Sequence, residues 1–189
     1  AMTTTPTNID EFPHAEIASR QAYDFYGLHI DIETDDRAAA ESIRRDWRYF
    51  DRAGTSDPAI TLQLHRETPP FDAVPALEAS LVTPRNVCYR SDGLEYLDYF
   101  GRGLAIIDRS AGSVRAWSED SDLLREIAYL YLLSRVGQHV DSVGRHRIHA
   151  LGINFHGKGV LLLLPVGGGK STMALSLLER DDIDLLSED

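Results

Sequence analysis

The chain has 189 residues, 43% of them hydrophobic, and its 30 acidic and 19 basic residues give a formal charge of -11. That balance excludes a broad surface for nucleic acid or anionic membrane and leaves room only for a local basic patch. The length suits one large domain or a small domain joined to part of another, and the single cysteine, Cys88, excludes an intramolecular disulfide and suits a reducing, cytoplasmic setting.

Residues 1–13 read as a disordered tail without the basic and apolar regions of a secretory signal, and no apolar run approaches the length of a bilayer span. Residues 23–33 alternate apolar and polar side chains, which predicts one half-buried strand. Asp35 and Asp36 are positioned to cap a helix that runs through Ile43 to Trp47 and Phe50. Residues 59–64 predict a second alternating strand, and Pro69, Pro70 and Pro75 punctuate the loop after it. From Val87 to Trp117, short strands alternate with glycine turns at Gly93, Gly101 and Gly112, as in an antiparallel meander. Residues 14–120 thus predict an α+β module. Ser118 or Asp120 then caps a helix over 121–144, whose apolar positions (Leu123, Leu124, Ile127, Leu130, Leu133, Val136) lie on more than one face and predict burial between layers.

Residues 145–159 predict a strand ending in a turn at Gly157. Pairing it antiparallel with the next strand carries His149 toward the loop at the far end of that strand. The apolar run 160–164 reads as a buried strand, Gly167, Gly168 and Gly169 as a tight connection, and residues 173–178 as a helix. Glycines there let backbone N–H groups surround a phosphate at a helix N-terminus. Lys170 is the residue to reach the outer phosphates and Ser171 the hydroxyl to hold Mg²⁺, with Thr172 beside them. The segment matches G-x-x-x-x-G-K-[ST], the Walker A pattern, except that Leu164 stands at the first glycine and Pro165-Val166 comes directly after it.

His149, the Gly157-x-Gly159 turn, the 167–171 loop and the closing Glu188-Asp189 together resemble the core of the HPr kinase/phosphorylase family. A histidine precedes the phosphate loop there by the interval from His149 to Lys170. An acidic pair succeeds the loop helix, arriving here one residue late, as if Asp181-Asp182 carried an insertion. The resemblance covers roughly the last quarter of the chain. It implies an incomplete P-loop nucleotide-binding unit of the HPr kinase and PEP carboxykinase type over 145–189, continued by a longer polypeptide or completed by a partner. It also implies ATP and Mg²⁺ as cofactors, and transfer of the γ-phosphoryl group to a serine of a protein or peptide acceptor, in a homo-oligomer. In that reading Asp189 takes the serine proton, Glu188 and Ser171 serve the metal, and His149 and Lys170 act beside the phosphates. The alternative expectation is a noncatalytic nucleotide- or anion-binding module that serves assembly or regulation.

Overall fold

A computed structural model describes residues 8–53, 57–165 and 167–187, and the chain divides into two compact units, Ala1–His139 and Val140–Asp189. The first unit is mixed α/β. Its sheet has eight strands: β1 (Ser19–Phe25), β2 (Leu28–Thr34), β3 (Ile60–His65), β4 (Ala79–Val82), β5 (Val87–Ser91), β6 (Leu94–Asp98), β7 (Gly103–Asp108) and β8 (Ser113–Ser118). They lie in the order β1-β2-β3-β8-β7-β6-β5-β4. Strands β2, β3 and β8 run parallel, and the other neighbours are antiparallel.

The segment expected as one strand over 23–33 is a hairpin. Phe25 pairs with Leu28 across Tyr26 and Gly27, whose φ values of 59° and 94° make the tight turn that matches strand twist. Helix α1 (Arg37–Trp47) carries the chain from β2 to parallel β3, and the expected cap is Asp36, whose carboxylate accepts the Ala38 N–H at 2.9 Å. The meander predicted over 87–117 is β5 to β8, with β4 added at its outer edge.

Strand alternation divides the core between two faces. Ile60, Leu62 and Leu64 of β3, Ala105 and Ile107 of β7, and Val114 and Ala116 of β8 meet Ile43 of α1 and Leu124 of helix α2 (Ser121–Ser142). On the opposite face, Leu104, Ile106 and Trp117 pack with Ile9 and Phe12. Residues 8–13, expected to belong to a disordered tail, are therefore anchored. Ile9 and Phe12 are buried, and the enclosed Arg115 guanidinium donates to both their carbonyls, at 3.0 and 3.2 Å.

Helix α2 also departs from expectation. Leu123, Leu124, Ile127, Ala128 and Leu132 form one buried stripe, while Tyr129 and Leu133 are 43% exposed, so the helix is covered on one side and not between layers. Asp120 caps it, accepting the Asp122 N–H at 2.9 Å, while Ser118 turns its hydroxyl to the Arg102 carbonyl.

The second unit holds β9 (Leu151–Phe155), β10 (Lys158–Leu162), helix α3 (Lys170–Leu177) and β11 (Ile183–Ser187). Its three strands lie in the order β10-β9-β11 with antiparallel neighbours. Strands β10 and β11 therefore point the same way but are separated by β9, which pairs antiparallel with β10 as expected. Residues 145–149, predicted as strand, precede β9 without strand pairing. Leu151, Ile153 and Ala174 make the small core, with Val160, Leu162, Leu177 and Ile183 packed around it. Among the described residues no helix is long and apolar enough to cross a membrane.

Candidate functional site

Three consecutive glycines lie between β10 and α3, and they meet two different demands. Gly167 and Gly169 have φ of 75° and 86°, in the left-handed region that side chains disfavour. Gly168 is held by space: a Cβ there would lie 2.8 Å from the Pro165 carbonyl oxygen and 3.3 Å from Leu164 Cβ. Its N–H donates to that same carbonyl at 2.8 Å, so the loop folds back on Pro165 before entering the helix.

Gly169 is the N-cap of α3 and supplies no side-chain oxygen to the first turn. The N–H groups at a helix start have no intrahelical partners and carry the positive end of the helix dipole. Here they adjoin a cavity of about 320 Å³ lined by Pro165 and residues 167–172. Ser171 and Thr172 are exposed at its rim and Lys170 is half-buried.

Strand pairing brings His149 to this loop. Leu151 at the start of β9 pairs with Leu162 at the end of β10, so the residues just before β9 and just after β10 share one end of the sheet. There the Lys170 ammonium donates to His149 Nε2. An ammonium only donates, so His149 Nε2 is the acceptor in this contact. The end of β11 reaches the same sheet end, with Ser187 opposite Gly152 after a bulge at Leu186. Glu188 and Asp189, the predicted metal ligand and proton acceptor, lie outside the described residues.

Of the predicted residues, His149, Gly167, Gly168, Gly169, Lys170, Ser171 and Thr172 are thus gathered at one place. The other histidines of the region have separate partners: His146 lies 3.9 Å from Asp141 and His156 lies 3.9 Å from Asp182. Asp182 is also gripped by both arms of Arg180, at 2.9 and 2.7 Å, and these hydrogen bonds hold its carboxyl below the usual aspartate range. Among the described residues, no three His, Cys, Asp or Glu side chains could hold a metal ion together. The role of Pro165 was not legible in the sequence. Its signal is weak, because a proline in a loop announces a turn but not which N–H its carbonyl accepts.

Comparison with protein-family models, with curated proteins and with solved structures found no match.

Proposed function

We propose that the second unit is the phosphate-binding part of an ATP-dependent serine kinase of the HPr kinase-like type, acting on a protein or peptide acceptor. The observation that carries this reading is the conjunction of a glycine loop opening α3 with Lys170 in contact with His149 at the same sheet end. The residues present suit a Mg²⁺-bound triphosphate. The first-turn N–H groups and the Lys170 ammonium would neutralise phosphate charge, and Ser171 would offer a hydroxyl to the metal, with Glu188 the carboxylate that the resemblance gives it.

The nucleotide supplies the transferable phosphoryl group. In the transfer, the acceptor serine oxygen bonds to the γ-phosphorus as the bond to the β–γ bridging oxygen breaks. ADP leaves and the serine proton passes to a carboxylate, the role the resemblance gives Asp189. Lys170 stays with the outer phosphates and offsets the charge on their equatorial oxygens. His149, as the acceptor, orients Lys170 in the absence of phosphate and releases it as phosphate enters. Such a kinase works in the cytoplasm, where ATP is available.

Leu164 favours a second reading, a noncatalytic module in which the same loop holds a nucleotide or anion for assembly. Its Cβ stands against Gly168, where the kinase pattern has only a glycine.

Titration calorimetry with Mg²⁺–ATP tests both. Saturable binding that weakens at least about tenfold in Lys170→Ala is expected, equal to about 1.4 kcal/mol. Absence of binding would overturn both readings. Label transfer from [γ-³²P]ATP to a serine-containing acceptor separates them: transfer abolished by Lys170→Ala is the kinase outcome, and transfer that survives the substitution sinks it.

A further inference from the structure

A cavity of the first unit is unrelated to the glycine loop. It is a groove of about 510 Å³ between β1, at the edge of the eight-stranded sheet, and helix α1. Ala18, Ser19 and Gln21 form one wall, and Arg37, Ala40, Glu41 and Arg44 the other. The groove is braced from beneath, because Gln21 Nε2 donates to the Ala40 carbonyl at 3.0 Å and Gln21 Oε1 accepts from the Tyr23 hydroxyl at 2.7 Å.

The β1 edge has a definite hydrogen-bonding parity. The two-residue turn makes Phe25 and Leu28 a mutually bonded pair, and alternation extends this to Tyr23, Gln21 and Ser19. The backbone groups of Arg20, Ala22 and Asp24 therefore face away from β2. The Arg52 N–H, which donates to the Ala22 carbonyl from that outer side at 2.9 Å, agrees with this parity. Among the described residues, only the far half of the edge is covered in this way, by the Arg52 contact and a bridge between Tyr23 and Asp51. Among the described residues, the outward N–H and C=O of Arg20 have no backbone partner, and they lie at the end of β1 that lines the groove. Natural sheets usually cover such an edge, because it is a template for another strand.

Charge identifies the occupant. In a chain of net charge -11, this wall carries two arginines and one glutamate. Arg37 is 94% exposed and loosely paired with Glu41 at 3.8 Å, and Arg44 is exposed. The two arginines are seven residues apart, two helical turns or about 10 Å along one face of α1. An extended chain presents every second side chain to one face, at intervals of about 7 Å. Acidic residues at alternate positions of an added strand thus come within reach of both arginines, while the acidic remainder of the surface repels them.

We infer that the β1–α1 groove binds an extended, acidic peptide segment of a partner protein, which joins the sheet as a ninth strand beside β1 and sets its carboxylates against Arg37 and Arg44. This inference is independent of the kinase reading, since it rests on the first unit alone.

The test is fluorescence anisotropy of a fluorescein-labelled (Glu-Val)₄ peptide against the whole chain at low ionic strength. Saturable binding is expected, weakening with salt and falling about tenfold in Arg37→Glu/Arg44→Glu. A (Lys-Val)₄ peptide should not bind. N-methylation of alternate residues, in the register that removes the N–H groups facing β1, should abolish binding while leaving the carboxylates and the protein intact. No saturable binding, equal binding of the N-methylated peptide, or indifference to the arginine reversal would each overturn the inference. Sedimentation of the chain alone supplies a last arm: self-association that the peptide displaces and the arginine reversal abolishes would make the occupant a second copy, which also overturns it.

Discussion

His65 is fully enclosed at the end of β3, with Nδ1 3.3 Å from Asp35 Oδ2 and its Nε2 buried without a hydrogen-bond partner among the described residues. The rings of His14 and Trp117 lie 5.5 and 6.0 Å away. Burial disfavours the imidazolium more than Asp35 favours it, and the charges of Arg115 and His14 add to the effect, so His65 titrates below its ordinary value. In the unfolded chain it titrates near about 6.5. The unfolded state therefore binds the extra proton first as pH falls. The stability contribution is complete above that value and is lost as pH falls through the depressed folded one, at up to about 1.4 kcal/mol per pH unit. Urea unfolding at pH about 7.5 and about 5.5 should show this loss, with a smaller slope in His65→Gln. Equal slopes would remove His65 from the account. Glu95 shows the opposite balance. Burial opposes its ionisation, but hydrogen bonds from Arg90 and Arg109, at 2.8 and 2.7 Å, outweigh burial and hold its carboxyl below the ordinary range. Neither environment was legible in the sequence, because the partners of Glu95 approach from different strands and turns and those of His65 from distant segments. Lys170 and Ser171 were legible, because the backbone requirement and the side-chain chemistry of their loop occupy consecutive positions.

Helix α1 is an element whose start rests on one side chain. Asp36 has a non-helical backbone and its Oδ1 accepts the Ala38 N–H, so Asp36→Ala should cost about 1 kcal/mol, read as a lower urea midpoint with an unchanged slope. A change below a few tenths of a kcal/mol would mean that the cap is redundant. Capping was readable because an acceptor before an apolar-periodic run is a local signal. The β1–β2 hairpin was not, because both strands alternate in the same way and the turn interrupts the pattern by only two residues, Tyr26 and Gly27. The face of α2 was misjudged for a related reason. Its apolar residues surround much of the helix, and only the sheet beneath decides that the stripe from Leu123 to Leu132 is the buried one.

At the scale of the whole chain, the two units differ in how much apolar surface they enclose. The first has cores on both faces of its sheet, while the second fully buries little beyond Leu151, Ile153 and Ala174 and leaves Leu161, Leu163 and Leu175 more than half exposed. Small cores open more readily. Amide hydrogen exchange should therefore be faster by orders of magnitude in β9, β10 and α3 than in β3, β7 and β8, and equal protection would contradict this assignment of stability. By itself the sequence determined the meander, the cap of α1 and the strand–glycine–helix run ending in Lys170-Ser171-Thr172, because each is written in neighbouring residues. Tertiary structure alone decided that β9 separates β10 from β11 and that Arg37 and Arg44 stand beside the β1 edge of the sheet. Those relations depend on strand order and pairing, which bring together residues that no local pattern connects.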